Sequence, residues 1–317
     1  MTLPARRSGP GGRVGDWIFI NLTRAMALGV LVLLGAVVLA LGGGAAPAFE
    51  RFGFAFLSDT SWNPVKEHFG ALPAIYGTLV TSFIAMLIGV PLAFGIAVFL
   101  TEQCPRWLRR PLGVLIELLA AVPSIIYGIW GLFVLAPFLK SNIEPAIIES
   151  LGAIPGIGLL FAGPPYGLGI LTAGLILAIM VLPFITAVMR DVFATVPAIL
   201  RESAYGVGAT TFEVVRHVVL PYTRIGVVGG IMLGLGRALG ETMAVTFVVG
   251  NAYQVKASLL AAGTTISATL ANQYSEAVGD LYNASLFALG FILFVITFLV
   301  LAAAKLMLMW LEQRAAS

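Results

Sequence analysis

An all-α membrane protein with six transmembrane helices is the fold class this sequence predicts, on three observations. The 317-residue chain is 59% hydrophobic and only 10% charged, where an ordinary soluble domain carries about 25% charged residues. Six stretches are apolar over the roughly 20 residues that a helix needs to cross a bilayer. The Lys and Arg residues between them gather on alternate sides, as the positive-inside rule requires. The same composition excludes other classes. The lone Cys104 allows no internal disulfide and no cysteine-built metal site, and His68 and His217 lie too far apart in sequence for a histidine cluster. No catalytic set and no metal site is expected. A net charge of +3 is too small to point to nucleic acid.

Taken in order, residues 1–16 are rich in Gly, Pro and Arg and are expected to form a disordered cytoplasmic tail. Arg6, Arg7 and Arg13 there suit contact with anionic membrane lipid. Residues 17–70 hold the first span, near 25–44, and an outer loop with Phe52, Phe54, Phe56, Trp62 and Phe69 as interfacial anchors. The first span follows a basic start, as a signal peptide would, but no small-residue cleavage site leads into a soluble domain, so an uncleaved span is expected. Residues 71–311 form a core of five spans, near 72–100, 111–139, 166–189, 225–250 and 283–310, and residues 312–317 a cytoplasmic end. Pro91, Pro123 and Pro183 fall inside these spans and predict kinks. Segment 140–165 is rich in Gly and Pro and reads as an ordered but irregular outer lid or re-entrant region. Segment 251–280 is a polar outer loop.

Loop charges set the expected orientation. With the N-terminus inside, thirteen basic residues (Arg6, Arg7, Arg13, Arg24, Arg106, Arg109, Arg110, Arg190, Arg201, Arg216, Arg224, Lys305 and Arg314) lie at the inner side, against four outside (Arg51, Lys66, Lys140 and Lys256). Six crossings return the C-terminus to the cytoplasm. The loop 190–224 then faces inward, and Arg237 is the one cation left within a span.

That inner loop is the longest polar segment between two spans. It contains Glu202-Ser203-Ala204, then Gly208, then Val218-Val219-Leu220-Pro221. Glu202 is expected near a helix start, where the dipole favours a carboxylate. Gly206 and Gly208 allow a tight reversal. Thr210 is placed to cap a second helix with Glu213 at the capping-box offset, and Pro221 to end it. The spacing of Glu202, Ala204, Gly208, Leu220 and Pro221 resembles the cytoplasmic coupling loop of bacterial ABC importer permeases, with Ser203 and Val218 as mild departures. A lipid-resting amphipathic hairpin would need no such spacing.

The fifth span poses the sharpest problem. Arg237 lies twelve residues beyond Ile225, roughly 18 Å along a helix and near mid-depth of a ~30 Å core. A lone arginine there costs at least ~2.5 kcal/mol, so it must face the bundle interior, a partner or water. Glu241 follows four residues later, on the same helical face, and is expected to hold the guanidinium between substrate visits. A structural ion pair would explain both charges. It would not explain Gly229, Gly230, Gly234, Gly236 and Gly240, which let a helix or a solute approach the backbone. Arginine also presents a planar fork of donors that suits an oxyanion. Arg237 and Glu241 are therefore the substrate-path candidates. Glu117, near the inner end of the third span, is expected to pair or to meet a helix end, and with Pro123 and Ser124 forms a structural or gating group.

The run Gly234-Leu235-Gly236-Arg237-Ala238-Leu239-Gly240-Glu241-Thr242-Met243-Ala244-Val245, followed by Gly250-Asn251, resembles the fifth-span signature of bacterial phosphate-transport permeases. Pro73-Ala74-Ile75-Tyr76-Gly77-Thr78-Leu79 and the stretch from Glu117 to Gly128 carry the same likeness, which covers nearly the whole chain. The resemblance implies the type I ABC importer permease fold. It implies a second permease subunit resembling PstA, two ATPase subunits resembling PstB, and a periplasmic phosphate-binding protein resembling PstS. The ATPase coupling residues it implies are Glu202, Ser203, Ala204, Gly208, Leu220 and Pro221. The chain has no Gly-Lys dipeptide and so no Walker A loop. No cofactor is expected on it, and ATP and magnesium belong to the partner ATPase. Permeases for sulfate or molybdate are the nearer alternative reading. A gradient-driven anion transporter is the further one, since it explains the buried charges but not the loop.

Overall fold

The computed structural model describes residues 10–316, and among them six helices are long and apolar enough to span a membrane. The first, α1 (Pro10–Phe52), starts inside the tail predicted as disordered, and residues 1–9 of that tail lie outside the described ones. A short α2 (Ala55–Ser58) leads into a hairpin of β1 (Trp62–Asn63) and β2 (His68–Phe69), with Trp62 opposite Phe69. The hairpin was not legible in sequence because two-residue strands carry no periodicity. Local hydrogen bonds make it: Asn63 Oδ1 accepts from the N–H groups of Val65 and Lys66 at 3.0 and 3.1 Å. Asp59 accepts from the Ser61 N–H at 2.8 Å, the main reason its carboxyl stays below the usual carboxylate range.

The second span is α3 (Leu72–Gln103), closed by a π-turn over Phe99–Gln103. Here the third span departs from expectation. Residues 111–139 are not one helix: α4 (Arg106–Ala120) ends before Val122–Pro123, and the membrane-length helix is α5 (Ser124–Leu151). Pro123 has an extended backbone (φ −57°, ψ 136°), so it stands at a junction rather than inside a span. The apolar residues of α4 had raised the hydropathy of the window. They occupy one side of an amphipathic helix, whose other side collects Arg106, Arg109, Arg110, Gly113 and Glu117 at three- and four-residue spacing. α5 also absorbs part of the segment predicted as an irregular lid, which begins after Leu151.

The fourth span, α6 (Ile170–Ala194), is the hub, buried over most of its length and packed on α3. Beyond it come α7 (Ala198–Gly206) and the fifth spanning helix, α8 (Thr211–Leu239). α8 runs through Pro221 without stopping, against the expectation that Pro221 ends a helix. A π-turn over Val215–Val219 shifts the hydrogen-bond ladder just ahead of the proline, whose missing donor then falls at the first turn of the following stretch. The span predicted at 225–250 instead breaks at Gly240–Thr242 and restarts as α9 (Met243–Val248). An extended segment, α10 (Ile266–Gln273) and the last span α11 (Asp280–Ala316) complete the chain.

Two cores result. One gathers α3, α6, α8 and α9 around Ile176, Met180, Ile185 and Phe193. The other joins α1, α11 and the hairpin through Phe56, Phe69, Leu286 and Leu289. Trp62 Nε1 donates to Gln273 Oε1 at 2.6 Å, and Gln273 Nε2 donates to Tyr253 Oη at 2.6 Å, which ties the hairpin to α10. Burial pushes the Tyr253 phenol up to about 12, so it remains a neutral member of that network. Six crossings in alternating direction bring the start of α1 and the end of α11, among the described residues, to the end of the bundle that carries α7.

Candidate translocation site and coupling loop

Arg237 lies in the last turn of α8, just before the helix breaks. On a neighbouring side, α8 packs on α6 through glycines four residues apart. A Cβ on Gly226, Gly230 or Gly234 would come within 2.5, 2.9 or 2.6 Å of Val192, Val188 or Ile185. Arg237 lies at the edge of this contact, exposed but close to α6. It shares the open face of α8 with exposed Ile225 and Leu233, and with Gly229, beside which a Cβ would meet nothing. Its guanidinium carbon sits 5.7 Å from the Phe184 ring centroid, a cation–π distance. Tyr127 of α5 is within electrostatic reach, and its hydroxyl donates across the α4–α5 break to Leu119 O at 2.9 Å.

Glu241 does not hold Arg237. Because α8 stops at Leu239, four-residue spacing no longer puts the two on one helical face. Glu241 Oε1 instead accepts from Ala244 N–H at 3.1 Å, binding a free donor at the start of α9. No ion pair to Arg237 occurs among the described residues. The glycines likewise divide: Gly230 and Gly234 serve helix packing, while Gly229 stays open.

The Glu202–Pro221 loop is a helical hairpin with a defined reversal. Gly208 has φ +89°, its N–H donates to Tyr205 O at 2.9 Å, and Ala209 N–H donates to Ala204 O at 3.1 Å. These two bonds form a Schellman motif, which needs a residue of left-handed backbone at position 208 and so favours glycine. Ala204 and Ala209 tuck against the core, whereas Glu202, Ser203 and Val207 are exposed. Glu202 lies in the middle of α7, not at its start, so the helix dipole gives it no special support. The capping box forms as the spacing suggested: Thr210 N–H donates to Glu213 Oε2 at 2.7 Å, and Glu213 N–H to Thr210 Oγ1 at 3.4 Å. Thr210→Ala removes it. The expected cost is about 1 kcal/mol, read as roughly fivefold faster amide exchange at Thr211–Val214; unchanged exchange would leave the cap without energetic weight. Leu220 is partly buried against the core and Pro221 is exposed.

Sequence reasoning passed over Arg201. Its Nη2 donates to Phe193 O at 2.6 Å and its Nη1 to Val196 O at 3.1 Å, tying up carbonyls at the end of α6. Its Nε lies 3.2 Å from Glu102 Oε1, a charge contact that lacks hydrogen-bond alignment. One side chain thus joins α7 to the ends of α6 and α3. Its signal was an acid, Glu102, in an otherwise basic turn. Glu117 pairs with Arg190 at 2.8 Å, and Arg190 also bonds Asp191 at 2.8 Å. Ser124 opens α5 beside Pro123, away from these contacts.

A bundle of spanning helices with a broken fifth span and a glycine-turned helical hairpin is the arrangement of an importer permease. The family model for the binding-protein-dependent transport system inner membrane component matches residues 89–315, and the chain belongs to that family. It is a multi-pass membrane component of an ABC importer, without the ATPase, which is a separate chain. Among curated relatives it is 63% identical to the phosphate transport system permease protein PstC of Mesorhizobium japonicum, over 98% of this chain and 97% of that protein. It is 56% identical to the PstC protein of Pasteurella multocida, over 94% and 93%. Solved structures give the same fold at low identity. The chain aligns with a chain of the MetNI methionine ABC transporter at a TM-score of 0.53 and 19% identity, covering 81% of this chain and 97% of that one. It aligns with a bacterial alginate ABC transporter at a TM-score of 0.57 and 18% identity, covering 92% and 96%. The predicted all-α type I importer fold is therefore borne out.

Proposed function

We propose that this chain is the permease subunit through which an ATP-driven importer carries inorganic phosphate into the cytoplasm by alternating access. The observation that carries the reading is Arg237, a fork of donors on the open face of a broken span, in a chain 63% identical to a phosphate permease along nearly its whole length. The open face of α8 supports a path walled on its far side by a second permease resembling PstA. The exposed apolar residues Ile199, Val207 and Phe212 on the loop hairpin support docking of ATPase subunits resembling PstB, which hold the ATP and magnesium. A periplasmic phosphate-binding protein resembling PstS delivers the anion at the opposite end. In this reading the loop and both termini face the cytoplasm, in accord with the basic residues at that end.

Energy demands the coupling. Moving one negative charge inward opposes about 2.3 kcal/mol per 100 mV, and a thousandfold gradient adds about 4 kcal/mol. An arginine site meets this only if it binds weakly enough to release, so binding at Arg237 is transient. The test is uptake of labelled phosphate by the transporter reconstituted with its partner chains. Uptake requires ATP, and a hundredfold excess of sulfate or molybdate leaves it within twofold. Equal competition by either anion would overturn the substrate assignment, and uptake without ATP the importer assignment.

A further inference from the structure

At the end of the bundle that carries α7, a cavity of about 430 Å³ lies between α4, the end of α3 and the end of α6. Arg109, Arg110, Arg190 and Arg201 line it, with Thr101 and Glu117. The charges in it are unequally matched. Arg190 is taken by Glu117 and Asp191, and Arg201 by Glu102. Arg109 donates only to a carbonyl, Cys104 O, at 3.4 Å, and Arg110 has no ion pair among the described residues. Two permanent cations, neither of them paired with a carboxylate, therefore stand at a polar hollow whose lining carboxylate, Glu117, is taken by Arg190.

The wall that carries them explains what comes near. α4 turns Arg106, Arg109, Arg110, Gly113 and Glu117 to one side. Gly113 packs so close to Arg190 that a Cβ would lie 2.6 Å from its Nη1. The other side leaves Trp107, Leu115, Leu118 and Leu119 exposed. A helix with arginines on one face and Trp and Leu on the other lies along the bilayer surface, at the depth of the lipid phosphates. An arginine fork binds such a phosphate with two parallel hydrogen bonds.

We propose that this cavity binds a phosphate-bearing anion through Arg109 and Arg110, as a site separate from Arg237. Two sources share that chemistry: the headgroup of an anionic phospholipid and free orthophosphate. The position of α4 favours the headgroup. A bound headgroup pins the helix that faces Arg190, and so steadies the end of α6 that Arg201 ties to the loop.

The experiment uses the complete transporter in detergent, with wild type, the Arg109→Gln/Arg110→Gln pair and the Arg109→Lys/Arg110→Lys pair. Retained phosphatidylglycerol is titrated by native mass spectrometry against phosphatidylcholine, and orthophosphate binding is measured by equilibrium dialysis. The Gln pair is expected to hold phosphatidylglycerol about thirtyfold more weakly, with phosphatidylcholine unchanged, and the Lys pair to restore most of the loss. A loss confined to orthophosphate would assign the site to the free anion. If the assembled Gln pair binds both probes as wild type does, the proposal is overturned. Should the pair fail to assemble, Arg110→Gln alone gives the same readout with a smaller change, and no change there overturns the proposal too.

Discussion

Arg237→Gln is expected to reduce ATP-driven phosphate uptake about a hundredfold or more in the reconstituted transporter, while the subunits still assemble. Arg237 is exposed at the edge of the α8–α6 contact, where it touches the Phe184 ring, while Gly226, Gly230 and Gly234 make the close approach. Its removal costs the Phe184 contact but leaves the glycine packing intact. What is lost is the charge-assisted fork, and truncating such a group costs about 2–5 kcal/mol. Arg237→Lys keeps the charge but not the bidentate geometry, and an intermediate rate is expected. Initial rates with labelled phosphate check both. Normal uptake by the Gln variant in an assembled transporter would remove Arg237 from the path. Glu241→Gln is the informative companion: since Glu241 Oε1 accepts from Ala244 N–H, the amide keeps an acceptor there and uptake should fall far less.

Gly77→Val is expected to abolish the folded protein. A Cβ at Gly77 would sit 1.8 Å from the backbone oxygen of Thr264. Backbone cannot move aside as a flexible side chain can. The surrounding bonds hold it in place: Ile266 N–H donates to Thr78 Oγ1 at 2.9 Å, and Tyr76 Oη donates to Lys256 O at 2.8 Å. Overpacking against fixed backbone belongs with substitutions that cost more than about 4 kcal/mol. The yield of monodisperse protein and its unfolding temperature in detergent report the effect. Gly229→Ala is the control, because nothing lies within 4 Å of its added carbon; a thermal shift of similar size there would show that glycine content, not the Thr264 contact, sets the sensitivity.

These contacts also show what the sequence could and could not disclose. The spans were legible because apolar length is a local property, and the loop because Ala204, Gly208 and Thr210 each do a local job in a Schellman turn and a cap. The stretch from Pro73 to Leu79 was noticed only as a likeness. Its reason is the close approach of residue 264, nearly two hundred positions away, and no local pattern reports that. The errors had the same origin. Hydropathy summed over a window cannot separate one-sided α4 from a helix apolar all round. Regular spacing placed Glu241 beside Arg237 because it assumed a helix that the Gly240–Thr242 break ends. Pro221 was read as a terminator because a π-turn, which accommodates it, has no signature in composition. Arg201 stayed hidden because its partners, Phe193 O and Val196 O, are backbone atoms.

The unbroken run of α8 from Thr211 to Leu239 has a mechanical meaning. Its first residue belongs to the hairpin on which we propose the ATPase docks, and Arg237 rides almost at its tip, about 39 Å further on. A helix of that length behaves as a piston rod: axial travel imposed at the foot arrives at the guanidinium undiminished. Directly above, the unwound Gly240–Thr242 link is a slack joint, so in the proposed cycle the stroke would end at the charge and not be passed on to α9.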